Sequence, residues 1–212
     1  VAPEDLTARA RILEAAIEQF ADVGSARATI RGIAAAAGVS SGLLRHHFGS
    51  KQALRQACDD RLTDLMRKLD ADAADFLRLG GSSPAHIPAS YGRYAARALS
   101  EGRAQALFDL MAGLAQRWIA DADHARQDPA QTSPHDRAVV STAQTMAIAV
   151  LHSQISAGLG VDIRSPEGEL RLRRILVDLY AAPLISPEDA TRIRAVLQPT
   201  NTERSPQTAH EG

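Results

Sequence analysis

Three glycines constrain the first sixty residues more than any other feature. Gly24, Gly38 and Gly49 cut a helical sequence into short pieces, and Thr29, Ser40 and Ser50 follow the cuts. Glycine ends helices because it tolerates the left-handed backbone of a C-terminal stop. Threonine and serine start them because a side-chain oxygen can accept an orphan N–H of the first turn. The alternation predicts a first helix ending at Gly24 and a second from Thr29 to Gly38. A third piece runs from Ser40 to Gly49, and a long fourth helix starts at Ser50. In the first, Leu6, Ala10, Leu13, Ile17 and Phe20 step by three and four along one face. In the second, Ile30, Ile33, Ala34 and Ala37 point inward. Leu43, Leu44 and Phe48 do so in the third. Leu54, Ala57, Cys58, Leu62, Leu65 and Leu69 do so in the fourth, which reaches about Leu79.

The rest of the chain is also helical by pattern. Alanine is abundant, aromatic residues make up only 4% and β-branched runs are almost absent, so the fold class is all-α. "RLGGSSPAHIPAS" has the composition of a linker. Helices follow at about Pro88–Leu99, Gly102–Ala122, Arg137–Leu159 and Pro166–Ala182. A short last helix reaches about Leu197. The tail from residue 199 to 212 is too polar to fold.

Charge separates these segments. The chain carries 24 basic and 25 acidic residues, so bulk charge points to no partner. Between Val23 and Cys58, however, there are Arg27, Arg31, Arg45, His46, His47, Lys51 and Arg55, and no acid. Short helices stripped of negative charge form a local footprint for phosphate. Two of them joined through Gly38 fit a helix-turn-helix, whose second helix leads into the major groove with its N-terminal residues. Gly38 meets a need for positive φ or close approach in that turn.

In order and spacing, "ILEAAIEQFADVGSARATIRGIAAAAGVSSGLLRHHFGSKQAL" resembles the N-terminal region of the TetR family of transcriptional regulators. The likeness covers roughly residues 9 to 58, about a quarter of the chain. It implies a three-helix DNA-binding domain at 1–54, a helical ligand-binding and dimerisation domain at 55–198 and a tail at 199–212. It also implies DNA contacts at Thr29, Arg31, Ser40, Ser41, Gly42, Leu43, Arg45, His46, His47 and Lys51. His47 and Lys51 match the family's phosphate-contacting pair. Members often carry "YYHF" where this chain has "RHHF", so Arg45 and His46 replace two aromatic residues and the operator need not resemble a relative's. Arg45 has the geometry either to bridge phosphate or to take a guanine through two hydrogen bonds.

The same resemblance implies a repressor that leaves a palindromic double-stranded DNA operator when a small molecule binds. The fourth helix would be the mechanical link. Tyr91, Tyr94, Phe108, Met111, Trp118, Met146 and His152 are the candidate ligand-lining residues, and each also fits an ordinary core position. The apolar middle helices favour an apolar or amphipathic effector. The two last long helices are apolar on more than one face, which suits a two-fold homodimer. The dimer would bury Val139, Val150, Leu151, Ile155, Ile175 and Leu179. A helical interaction module, or a regulator that activates, is the alternative.

No catalytic constellation is expected. Adjacent helical residues point about 100° apart, so His46 and His47 do not share a metal site easily. His124 and His135 lack a third ligand at metal spacing, and Cys58 sits on an apolar face. No cofactor and no metal are expected. One cysteine, no apolar run long enough for a bilayer and an acidic N-terminus unlike a signal peptide predict a cytoplasmic protein with no membrane partner.

Overall fold

The structure is a computed structural model and describes residues 3–79, 88–126 and 128–197. All its regular elements are helices: α1 (Pro3–Arg27), α2 (Ile30–Ala36), α3 (Ser41–Phe48), α4 (Lys51–Leu79), α5 (Ala89–Ser100), α6 (Gln105–Asp123), α7 (Pro134–Val150), α8 (His152–Leu159), α9 (Pro166–Ala181) and α10 (Pro187–Leu197). Among the described residues there is no strand. Most of the linker expected near residues 78–90, and the tail from 199, lie outside the described residues. The chain divides into two compact units, one ending at Leu159 and one beginning at Gly160.

In the first unit, one apolar cluster runs through α1 to α6. Ile12, Ala16, Ile17 and Phe20 of α1 meet Ile33, Leu44, Leu54, Cys58 and Tyr94, all fully buried. The buried face of α1 also takes in Ala8, Leu13, Ala15 and Ala21, and Ala10 is exposed. The face is therefore rotated from the one expected, toward the Ile12–Ala16 line, because α4 and α5 as well as α2 and α3 pack on this helix.

The turn after α2 has a definite form. Gly38 lies at φ +66°, its N–H donates to Ala35 O at 3.1 Å, and Val39 N–H donates to Ala34 O at 3.0 Å. This pair of bonds satisfies the last carbonyls of the helix and requires a left-handed residue between them. Val39 then packs on the core. The same arrangement closes α5 at Gly102: Gly102 N–H reaches Leu99 O and Arg103 N–H reaches Ala98 O. Gly102 is thus a stop, and α6 starts at Gln105 rather than at Gly102.

α6 and α7 pack on each other, and α7 also meets α5. The expected helix at Arg137–Leu159 begins earlier. Ser133 Oγ accepts from Asp136 N–H at 3.0 Å, and Pro134 opens the first turn. Arg137 then pairs with both oxygens of Asp123, at 2.8 and 2.5 Å. The helix is interrupted at Leu151, where φ is −92° and ψ is 19°.

In the second unit, Ser165 caps α9, accepting from Gly168 N–H at 3.1 Å. Ser165 Oγ in turn donates to Asp162 O at 2.7 Å. Pro166, Glu167 and Glu169 fill the first turn, where fixed φ and negative charge suit a helix start. Ser186 caps α10 through Asp189 N–H at 3.0 Å, and its hydroxyl donates to the Asp189 carboxylate at 2.7 Å.

Candidate nucleic-acid interface

Three serine and threonine caps shape the acid-free segment. Thr29 Oγ1 accepts from Gly32 N–H at 3.0 Å, Ser40 Oγ from Leu43 N–H at 3.0 Å and Ser50 Oγ from Ala53 N–H at 3.1 Å. Caps of this kind stabilise a helix by about 1 kcal/mol each. They leave the hydroxyl hydrogens free to donate elsewhere.

Helices α2 and α3 pack on each other and on α1. Leu44 is wholly buried and Phe48 nearly so, which turns the opposite side of α3 outward. Arg9 of α1 lies over the Phe48 ring at 5.1 Å and holds that end of α3. On the outward side, Ser40, Gly42, Arg45 and His46 are exposed, while Ser41, Leu43 and His47 are half-buried. Thr29 and Arg31 are exposed at the start of α2. The rings of His46 and His47 meet edge to face at 5.6 Å. A Cβ at Gly42 would approach only Ser40 Oγ, at 3.7 Å. Packing does not demand glycine there, and its effect is to leave the backbone of the first turn of α3 open to close approach.

Lys51 is placed differently from these. Its ammonium donates to the carbonyls of Ala26 at 3.3 Å and Ala28 at 3.1 Å. Beside it lies a cleft of about 480 Å³ lined by Phe20, Ser25, Ala26, Lys51, Gln52 and Arg55.

The ligand candidates are not gathered around this cleft. Tyr91 and Tyr94 lie in the core between α1, α4 and α5. Tyr91 donates to Glu14 Oε1 at 2.7 Å and accepts from Arg61 Nε at 3.3 Å. Tyr94 donates to Asp59 Oδ1 at 2.5 Å and lies 6.3 Å from the Phe20 ring. Burial, reinforced by the neighbouring carboxylate, pushes both phenols above their ordinary range. Trp118 donates to Asp70 Oδ1 at 2.8 Å, beside Arg117 on Asp70 Oδ2 at 2.5 Å. Met111 and Met146 pack together with the core cluster, and Phe108 is half-buried. His152 Nδ1 lies 3.2 Å from Ala149 O. Cys58 is fully buried, and burial pushes its thiol far above the ordinary range, with Asp59 and Glu14 adding to the effect. No described helix is long and apolar enough to cross a membrane.

The sequence of this segment matches known proteins. Residues 12–58 match the family described as "Bacterial regulatory proteins, tetR family". The HTH-type transcriptional regulatory protein RaaS of Mycobacterium tuberculosis is 56% identical over 69 residues, 32% of each chain. The HTH-type transcriptional repressor Rv3405c of the same organism is 41% identical over 95 residues, 44% of this chain and 47% of that one. The chain therefore aligns with between a third and a half of the length of these relatives. In fold, it resembles a solved TetR-family transcriptional regulator from Rhodococcus sp., with a TM-score of 0.54 at 20% identity, over 68% of this chain and 86% of the other. The glycine-cut helices, their caps and the matched residues make the N-terminal segment of this chain, residues 12–58, similar to the TetR family of bacterial regulatory proteins.

Proposed function

We propose that this protein is a transcriptional regulator, not an enzyme, that binds a palindromic DNA operator as a homodimer in the cytoplasm. The single observation that carries this reading is the outward face of α2 and α3. It exposes Arg31, Arg45 and His46 with an open backbone at Gly42, and no acid interrupts it. Thr29, Arg31, Ser40, Ser41, Gly42, Leu43, Arg45, His46 and His47 form the DNA-facing set. Guanidinium and imidazole groups here supply phosphate contacts, and Ser41, Gly42 and Leu43 at the front of α3 face base edges.

More narrowly, the protein is a repressor released by a small apolar or amphipathic effector. The repressor name of one relative supports the direction of regulation. Residues 1–54 bind DNA, and residues 55–198 bind effector and partner copy. Phe108, Met111, Trp118 and Met146 are the candidates left with apolar surface to offer a ligand. Exposed Val140 and Val150 on α7, Leu151 beyond it, and Leu170, Val177, Leu179 and Tyr180 on α9 supply the apolar area for a dimer.

The test is selection of bound duplexes from a random DNA pool, followed by gel shift at two salt concentrations. A palindromic consensus, bound tightly and weakened by salt, is the expected result. Failure to shift any duplex at low salt would remove the DNA-binding reading.

A further inference from the structure

A lysine in the first turn of a helix is badly placed, because that end already carries partial positive charge. α4 nevertheless opens with Lys51 and has no acid in its first turn. The structure gives its ammonium another set of partners, the carbonyls of Ala26 and Ala28. These belong to the short turn that follows Gly24, where the backbone leaves the helical conformation at φ 80° and ψ 159°. Carbonyls at such an end carry partial negative charge and lack helical partners. Ala28 directly precedes Thr29, the cap of α2. One ammonium thus ties the end of α1, the cap of α2 and the start of α4 across 23 to 25 residues of sequence.

We infer that Lys51 is a positioning residue: it sets the seat of α2 against α1 and α4, and so the placement of Thr29 and Arg31 on DNA. This rests on the DNA-binding reading above. It differs from the role that family resemblance gives Lys51, a direct phosphate contact, and the two make opposite predictions about salt. Neutralising a phosphate contact removes about one released counterion from the salt dependence. Loosening a seat leaves the number of phosphate contacts unchanged.

The experiment compares the full chain with Lys51→Met, which keeps the stem without charge or donors, and Lys51→Arg, which keeps both. Operator affinity, non-specific duplex affinity and salt slope are measured for each, with amide exchange on the free proteins. For Lys51→Met the expected result is operator binding weakened about tenfold at every salt concentration. Non-specific affinity and salt slope should stay at the wild-type values. Exchange should rise at Gly32 and Ile33 relative to Leu44. Lys51→Arg should recover most of the loss. A slope reduced by about one, with specific and non-specific binding weakened alike, would overturn the inference in favour of a phosphate contact. Unchanged operator affinity with unchanged exchange would also overturn it. If Lys51→Met does not fold by circular dichroism, Lys51→Gln carries the same comparison of slopes. If wild type selects no DNA at all, the parent reading fails, and amide exchange alone decides whether Lys51 seats α2.

Discussion

At the scale of single residues, Arg31 and Arg45 are the exposed cations that the sequence places against DNA, and they make different claims. Arg31 lies in the first turn of α2, where under the proposed function it would reach a base edge as well as phosphate. Arg31→Ala is expected to cost about 1–3 kcal/mol and to relax preference at one base position per half-site. Binding to a panel of single-base operator variants checks this, and uniform loss across the panel would make Arg31 a phosphate contact. Arg45→Lys keeps charge but loses the planar fork, so it should lose specificity if Arg45 takes a guanine and be nearly silent if it touches phosphate. A second prediction concerns Cys58. Its folded-state thiol titrates well above the ordinary range because it is buried near Asp59 and Glu14. Above about pH 8.5 the unfolded chain loses this proton while the native chain keeps it. The unfolded state then binds fewer protons, so stability falls as pH rises, by up to about 1.4 kcal/mol per pH unit from this group. Thermal melts from pH 8 to 10 should show this decline, and Cys58→Ala should flatten it while lowering the plateau. The caps, the burial of Cys58 and the inward Leu44 were legible in the sequence because each depends on neighbours within a turn or two. The hydroxyl partners of Tyr91 and Tyr94 were not, since Glu14 and Asp59 stand 77 and 35 residues away. A tyrosine amid apolar residues has the same pattern whether it faces a ligand or a distant carboxylate.

At the scale of elements, the helix starts were read closely where a cap and a glycine agreed, as at α2, α3 and α4, and where Pro166 opens α9. They shifted where a glycine served as a stop, as at Gly102, or where a cap lay inside a polar stretch, as at Ser133. What local pattern did not contain is the docking of α5 on α1. Tyr91 meets Glu14, Arg93 meets Asp22 at 3.3 Å, and Arg97 donates to the carbonyls of Ala21 and Asp22 at 3.4 and 3.0 Å. Asp70, held by Arg117 and Trp118, ties α4 to α6. On the proposed function, a signal from the middle helices would have two material routes to α2 and α3, α5 to α1 and α6 to α4, where the sequence suggests α4 alone. Coupling by either requires an effector with different affinity for two arrangements of these helices. The close approach that starts α9 gives a sharper prediction. A Cβ at Gly168 would stand 2.0 Å from Asp162 O and 2.8 Å from Ile163 Cα, both backbone atoms. Neither can swing aside as a side chain would. Gly168→Ala should destabilise the segment by about 2–3 kcal/mol or more, seen as a lower melting temperature or an early partial transition. Gly42→Ala, with only Ser40 Oγ at 3.7 Å, should raise the melting temperature slightly, a gain of about 0.4–1 kcal/mol in stability.

At the scale of the whole molecule, a palindromic operator demands two copies of α3 presented about 34–36 Å apart, which one chain does not supply. The surface has the means for a second copy. Val177 is 65% exposed and Tyr180 69% exposed on α9, with Leu170 and Leu179 on the same helix, and Val140 is 58% exposed on α7. On α9 taken by itself, several large apolar side chains lie uncovered on one helix, and under the proposed function they would offer a surface to a second copy. The exposed set differs from the one the sequence anticipates: Val150, Leu151 and Leu179 are exposed, but Val139, Ile155 and Ile175 are half-buried within their own chain. Helical periodicity identifies apolar positions and does not say which of them the chain itself covers. Val177 gives the cleanest test because its exposure makes Val177→Asp harmless to the folded protomer. In a dimer that covers α9, the same carboxylate would be desolvated, twice by symmetry. The dissociation constant of the dimer should then rise on the order of 100-fold, about 3 kcal/mol. Light scattering at micromolar concentration should give a dimer for wild type and a monomer for Val177→Asp, with matching circular dichroism. Operator affinity should collapse in the variant while non-specific binding per chain persists, because each chain keeps its own phosphate contacts. A Val177→Asp protein that stays dimeric would move the interface off α9, and a monomeric wild type would remove the dimer altogether.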